Sequence, residues 1–134
     1  KEASANIKAE VNAVAESRPM YEQRSWGEYR VIDSSVFPDR AKALTKELII
    51  REDGQLDYQR HMHRGEVWTV ISGTGEVVLD GLVQQVRAGS VVQIPSGTPH
   101  SARAVSGNLH VIEVQHGEIL VKEDIDRIGL FWKE

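Results

Sequence analysis

The feature that most constrains the fold of this chain is a succession of short apolar runs separated by turn residues, from about residue 28 to residue 115. Short runs with turn signals between them, and no long helical periodicity, are typical of an all-β sandwich or barrel. Asp80-Gly81 lies between two such runs and is a hairpin signal of the Asp-Gly type. The central part of the chain is therefore predicted to fold into a β-barrel.

The same pattern sets the expected order of elements. The predicted strands are Glu28–Asp33, Ala43–Arg51, a segment carrying His61 and His63, Val67–Ile71, Gly75–Leu79, Leu82–Val86, Val91–Ile94, His100–Val105 and Leu109–Gln115. Apolar residues at helical spacing predict an amphipathic helix from Ser4 to about Ser17, and Glu123–Arg127 is predicted to form a short terminal helix. We therefore expect a linker helix in residues 1–20 and a β domain in residues 21–134.

Composition narrows the class of protein. A length of 134 residues suits one domain with one core. The formal charge of −4 and the scattered basic residues argue against a nucleic-acid partner. No apolar run is long enough to span a bilayer, and the absence of cysteine excludes disulfides and thiolate ligands. We expect a cytoplasmic protein without a membrane partner.

A group of potential metal ligands begins with His61 and His63. On an extended strand, alternate side chains point to the same face, so these two imidazoles are predicted to share one face. Glu66 follows at the wrong parity for a flat strand, and Gly65 can absorb that mismatch in a bulge. His100 follows a turn that prolines and a glycine fix tightly, so its side chain should be well aimed.

Together, His61, His63, Glu66 and His100 predict a metal site. Three imidazoles and one carboxylate suit Zn, Mn, Co, Ni or Fe, and donor softness does not choose among these divalent metals. If the metal is five- or six-coordinate, four protein ligands leave one or two positions open for a substrate. Each ligating histidine is expected to donate its second ring nitrogen to a carbonyl or a carboxylate. His110 and His116 lie outside this pattern and are not expected to be ligands.

These stretches resemble the two motifs of the cupin superfamily, and the matching residues are Gly54, His61, His63, Glu66 and Gly73 in the first and Gly89, Pro95, Gly97 and His100 in the second. More narrowly, the chain resembles the type II mannose-6-phosphate isomerase domain. The segments that carry this likeness are Arg24–Tyr29, Gln59–Trp68, Ile94–His100, Ile112–Gln115 with Gly117, and Asp124–Arg127. That domain often forms the C-terminal part of bifunctional mannose-1-phosphate guanylyltransferase/mannose-6-phosphate isomerase proteins. The resemblance implies a double-stranded β-helix, or jelly-roll barrel, and a homodimer.

The resemblance also implies a chemistry, the interconversion of mannose 6-phosphate and fructose 6-phosphate, which feeds GDP-mannose and polysaccharide synthesis. Such an enzyme needs a base, and strand parity groups Glu113 with Gln115, a residue of the matching segment; the alternative is an exposed strand carboxylate. Lys46 interrupts an apolar run and is a second catalytic candidate that also suits the phosphate of a phosphorylated hexose. The other cations considered for the substrate are Arg24, Arg60, Arg64 and Arg103, and we expect two, at most three, of these five residues to contact it. Gln115 is a further candidate for binding the substrate.

Two other functions remain open at this point. One is a metal-binding cupin without isomerase activity that acts as a small-molecule binding or sensor module, and the other is an oxygen-dependent cupin that uses iron. The chain has Ser25 where the isomerase family has proline, and it ends in Gly129–Glu134 where that family tends to end in Tyr-Gly-Arg. The altered C-terminus favours the binding module, whereas the candidate phosphate cations favour the isomerase.

Overall fold

The computed structural model describes residues 20–133, which fold into antiparallel β-strands. The strands are β1 (Tyr21–Arg24), β2 (Gly27–Val36), β3 (Lys42–Ile50), β4 (Tyr58–Arg60), β5 (Gly65–Leu79), β6 (Leu82–Arg87), β7 (Val91–Ile94), β8 (His100–Gly117) and β9 (Asp126–Gly129). The expectation of an all-β fold is confirmed. Within the same range, the structure has no helix with the length and apolar character needed to cross a membrane.

The two longest strands, β5 and β8, pair with each other and with most of the remaining strands. β5 pairs with β6, β7 and β8, and β8 continues through β3 to β2 and β1. The short strand β4 lies between β8 and β9. The last strand of the chain is therefore attached to the strand that leads directly into His61.

The sequence pattern predicted two separate strands in the region of β5 and two in the region of β8. In the structure each of these regions is one continuous strand with a bend. The register of β5 against β8 shifts at three points between Val70 and Gly75. Gly73 lies inside this region at φ 89°, where a Cβ atom would come within 2.1 Å of the carbonyl oxygen of Asn108. A glycine in the left-handed region thus allows the ladder to continue around the bend.

The predicted Asp-Gly hairpin is confirmed. Leu79 pairs with Leu82, so Asp80 and Gly81 form a two-residue turn, and both have positive φ angles of 48° and 81°. Positive φ at both central residues is the signature of the type I′ turn, whose twist matches that of the flanking strands.

The core lies on the inner face of the sheet, where alternate residues of β3, β5, β7 and β8 point. It includes Leu48, Ile50, Trp68, Val70, Val92, Ile94, Leu109 and Val111. Along β5 and β8 the same inner face continues with the buried polar residues Glu66, Glu113 and Gln115. A polar site therefore adjoins the apolar core without leaving the interior.

The helix expected at Glu123–Arg127 is wrong. Lys122 and Glu123 lie in a turn, and Asp126–Gly129 forms β9 against β4. A helix of one turn gains few hydrogen bonds for the dihedrals that it fixes, whereas the edge of β4 offers ready ladder partners. The helix predicted between Ser4 and Ser17 lies outside the described residues.

Candidate metal centre

Residues 61–64 form a bend between β4 and β5, not a strand. The Asp124 carboxylate accepts hydrogen bonds from the backbone N–H groups of Met62 at 3.0 Å and His63 at 2.9 Å. On the other side, the Gly97 N–H donates to the His61 carbonyl at 2.7 Å. Alternation of side chains does not apply to such a bend, so the prediction that His61 and His63 share one face is wrong.

The bend separates the two histidines. His61 is buried with 4% of its surface exposed, whereas His63 is exposed. The pairing of Gly65 with His116 and of Glu66 with Gln115 is continuous, so the expected bulge at Gly65 is also absent. The parity mismatch is instead absorbed by the bend itself. A Cβ atom at this position would lie 2.7 Å from the ring of the exposed His116, so a larger residue would require that side chain to move.

Three of the four predicted ligands meet inside the protein. His61 Nε2 lies 3.3 Å from Glu66 Oε2, and His100 Nε2 lies 3.8 Å from Glu66 Oε1. The two imidazole rings are 5.2 Å apart at their centroids, and all three residues are buried. Of the residues in the range 20–133, these three form the group of His and acidic side chains that could hold one metal ion.

The other ring nitrogens fix the orientation of both histidines. His61 Nδ1 is 2.8 Å from the carbonyl oxygen of Asp124, and His100 Nδ1 is 2.9 Å from that of Thr98. A carbonyl oxygen only accepts, so each Nδ1 carries a proton, and Nε2 is the ring nitrogen that faces Glu66 in both histidines. This is the arrangement expected of ligating histidines.

Burial, reinforced by the positive charge of Arg64, lowers the pKa of His61 from 6.5 to about 4. His61 is therefore neutral at pH 7, as a metal ligand must be. His100 Nε2 has no hydrogen-bond partner in the described part of the chain. A buried ring nitrogen without a partner is costly, and a bound metal ion would remove that cost.

Glu66 accepts hydrogen bonds from two further buried side chains. Arg64 Nε donates to Glu66 Oε2 at 2.9 Å, and Trp68 Nε1 donates to Glu66 Oε1 at 3.0 Å. Arg64 also donates through a terminal nitrogen to His61 Nε2, at 3.1 Å. The guanidinium thus contacts the same lone pairs of His61 and Glu66 that a metal ion would use.

The residues fit a divalent metal in donor type and spacing. Two donors that each lie about 2.1 Å from a tetrahedral zinc ion are roughly 3.4 Å apart. His61 Nε2 lies 3.3 Å from Glu66 Oε2, His100 Nε2 lies 3.8 Å from the other oxygen, Oε1, and one ligand atom from each residue lies within 4.8 Å of the others. Two imidazoles and one carboxylate also form the donor set of catalytic zinc sites and of nonheme iron sites. A metal in this position would take over from Arg64 as the countercharge of Glu66.

An open pocket of about 120 Å³ lies beside the cluster, with His61, Arg64 and Glu66 in its wall. Its other charged lining residues are Arg24, Lys46, Asp57, Glu113, Lys122 and Arg127.

Glu113 is 5% exposed, so the alternative of an exposed strand carboxylate is wrong. Lys46 lies opposite Glu113 in the ladder between β3 and β8. Its Nζ atom lies 4.5 Å from the centroid of the Tyr29 ring. Gln115 Nε2 donates to Glu113 Oε2 at 2.7 Å.

The four candidate arginines separate into two pairs. Arg24 and Arg64 line the pocket. Arg60 does not, and it forms an exposed ion pair with Asp126 at 2.8 Å. Arg103 donates to Glu76 at 2.7 Å and lies over the Trp132 ring, 4.9 Å from its centroid.

Two pocket cations, Lys122 and Arg127, were missed from the sequence. The available sequence signal for Arg127 was its place in Asp124–Arg127, a segment that resembles the isomerase family. Lys122 lies just before that segment. Because Glu123–Arg127 was predicted to be a helix, nothing indicated that basic side chains of this region would lie near the histidines. Only the pairing of β9 with β4 brings Arg127 to the pocket, together with Lys122 from the turn before it.

Curated proteins of similar sequence support the motif-based expectation. A mannose-1-phosphate guanylyltransferase of Escherichia coli K12 is 32% identical over 107 residues, which cover 79% of this chain and 21% of that protein. The alginate biosynthesis protein AlgA of Pseudomonas putida is 33% identical over 105 residues, covering 78% of this chain and 21% of that protein. The chain thus spans about a fifth of the length of the curated relatives that it matches.

Solved structures show the same fold at low sequence identity. An RmlC-like cupin from Shewanella frigidimarina matches with a TM-score of 0.62 and 15% identity, over 77% of this chain and 86% of that chain. A protein with a double-stranded β-helix domain from Klebsiella pneumoniae matches with a TM-score of 0.65 and 18% identity, over 87% of this chain and 92% of that chain. The family model described as "Mannose-6-phosphate isomerase C-terminal" matches residues 11–129, and the chain belongs to that family.

Proposed function

We propose that this chain is a metal-dependent isomerase domain that interconverts mannose 6-phosphate and fructose 6-phosphate. The observation that carries the proposal is the buried cluster in which Nε2 of His61 and Nε2 of His100 face Glu66, with His61 and Glu66 in the wall of an open pocket. Membership of the isomerase family supports the choice of reaction. The buried carboxylate of Glu113 in the same pocket supports an acid–base mechanism.

His61, Glu66 and His100 would hold the metal, which supplies Lewis acidity towards the sugar oxygens when bound. Glu113 is the proposed base, which takes the proton from C2 of the aldose and returns it to C1 of the enediol, while the proton of the C2 hydroxyl passes to the oxygen on C1. Gln115 restrains the Glu113 carboxylate through its 2.7 Å hydrogen bond. Proton transfer by a positioned base is worth about 10²–10⁴ in rate.

The substrate phosphate needs cations near the pocket entrance. Arg24, Lys46, Lys122 and Arg127 line the pocket and are the proposed contacts. Arg24 and Arg127 already pair with carboxylates, Arg24 with Glu22 and Arg127 with Asp57. The partly buried pair with Glu22 orients Arg24 before substrate arrives, which lowers the entropy that binding must overcome. The Arg127–Asp57 pair is 50% and 47% exposed and holds Arg127 only weakly.

A second candidate, a metal-binding module without isomerase activity, is favoured by the position of Arg64. Its guanidinium satisfies Glu66 and His61 at the same time, so the pair needs no metal to be neutralised. The two-histidine, one-carboxylate set also keeps an iron site among the alternatives, because oxygen-dependent iron proteins use these donors.

A coupled assay for fructose 6-phosphate formed from mannose 6-phosphate separates these candidates. The purified chain would be stripped of metal and then supplied in turn with Zn, Mn, Co, Ni or Fe. We expect turnover with at least one metal, and loss of turnover in Glu113→Gln while bound metal, measured by elemental analysis, is retained. Stoichiometric metal without turnover in every case would contradict the isomerase proposal and leave the binding module.

A further inference from the structure

Asp124 makes three hydrogen bonds to the bend that carries His61. Its two carboxylate oxygens accept from the N–H groups of Met62 and His63, and its carbonyl oxygen accepts from His61 Nδ1. These contacts join residues more than 60 positions apart in the sequence. One residue of the C-terminal segment therefore holds both the backbone of the bend and the ring of His61.

The segment that carries Asp124 is itself fixed on both sides. Before it, Leu120 is buried against Val31 and Leu44. After it, β9 pairs with β4, and the backbone of Trp132 exchanges hydrogen bonds with the side chain of Gln55 at 2.6 Å and 3.3 Å. The position of Asp124 is consequently fixed by the packing and pairing of the segments on both sides of it.

We propose that Asp124 is the positioning residue of the metal centre, and that it selects His61 over His63 as the inward-facing imidazole. The proposal deepens the proposed function and rests on its metal site. Asp124 lies outside the group of donor atoms that could hold the metal in the described part of the chain, and its carboxylate and carbonyl oxygens accept from the bend instead. Its effect on a metal would be entirely through His61.

The physical basis is the coupling of ring orientation to bend geometry. With both amides tied to one carboxylate, the backbone at 61–63 cannot take up the extended form in which the two histidines would alternate with Met62. With Nδ1–H donated to a fixed carbonyl, the lone pair on Nε2 is held towards Glu66. Removal of the carboxylate frees the bend, and the bend can then carry the His61 ring away from the main-chain carbonyl of residue 124, which the substitution itself retains.

The test compares Asp124→Ala and Asp124→Asn with the matched control Asp126→Asn. Asp126 lies two residues away on the same segment, and its carboxylate pairs with the exposed Arg60 instead of the bend. The asparagine at 124 keeps the shape but offers only one acceptor oxygen, so it can satisfy one amide. Two readings are taken on metal-free protein at about pH 7.5: the tautomer of His61 from imidazole ¹⁵N NMR shifts, and zinc affinity from calorimetry.

We expect wild-type His61 to be protonated on Nδ1, and Asp124→Ala to lose that preference and bind zinc about 10–100-fold more weakly, as changes to outer partners of metal ligands do. Asp124→Asn should fall between the two, and Asp126→Asn should match wild type. A wild-type His61 protonated on Nε2 would overturn the proposal. So would an unchanged tautomer and affinity in both variants at position 124.

The two readings keep this inference separable from the proposed function. If the wild type binds no zinc, the proposed metal site fails, and the His61 tautomer still decides whether Asp124 positions the ring. If zinc binds equally well with and without the Asp124 carboxylate, the positioning role fails and the metal site stands. Should Asp124→Ala not fold, the same readings on Asp124→Asn decide.

Discussion

Replacing Arg64 by methionine tests whether its guanidinium and a metal ion serve the same purpose. Methionine is unbranched and flexible, so it can fill much of the same volume without charge. The Arg64 and Glu66 side chains are only 7% and 2% exposed. Removing one partner of so deeply buried a pair leaves an uncompensated charge and typically costs about 3–5 kcal/mol. We expect a loss of this size in the unfolding free energy of metal-free Arg64→Met.

A bound divalent ion should restore most of that loss, because it neutralises Glu66 where Arg64 no longer can. Urea unfolding with and without saturating zinc measures this as a metal-induced stabilisation that is larger in Arg64→Met than in wild type by about 3 kcal/mol or more. Arg60→Met is the matched control, since its ion pair with Asp126 is 44% and 52% exposed and should be worth about 1 kcal/mol or less. Equal zinc stabilisation in wild type and Arg64→Met would refute the idea that the two cations share one place.

Three further predictions address the ligands, the proton equilibrium and the base. His61→Ala and His100→Ala should each lower the amount of bound metal in elemental analysis, while circular dichroism shows that the fold is retained. His63→Ala should bind as much metal as wild type. Loss of metal in His63→Ala alone would contradict the three-residue centre. The pKa of His61 is about 4 in the folded protein against 6.5 when exposed. As pH falls through 6.5 the unfolded chain takes up this proton first, so the metal-free protein should lose stability from about pH 6.5 down to about pH 4. The full loss from this group is about 3 kcal/mol, and urea midpoints at pH 7 and pH 5 should differ less in His61→Gln than in wild type. Glu113→Gln, if the isomerase proposal holds, should reduce kcat by about 10²–10⁴ with little change in KM; a kcat within a few-fold of wild type would exclude Glu113 as the base.

Much of the fold follows from local pattern. The Asp80-Gly81 hairpin was predictable because a type I′ turn depends on two adjacent residues and the register that they impose. Glu113 and Gln115 were placed on one face by strand parity, and both are buried. In these places the information is carried by neighbours along the chain.

The prediction failed where a distant residue decides the local conformation. His61 and His63 have the spacing of a shared strand face, and nothing near them indicates that Asp124 binds the intervening amides and turns His63 outward. The segment around Asp124 was in turn interpreted as a helix, because its pairing with β4 depends on the same long-range contact. Local periodicity carries no record of hydrogen bonds between residues that are far apart in sequence.

The most direct test of the metal centre is anomalous X-ray scattering from crystals grown with zinc or cobalt and measured at the absorption edge of the metal. The three-residue centre predicts one peak within about 2.0–2.2 Å of His61 Nε2, His100 Nε2 and a Glu66 oxygen, with the Arg64 guanidinium displaced from both His61 and Glu66. A peak on His63, or no peak at the cluster with Arg64 still bonded to Glu66, would contradict it.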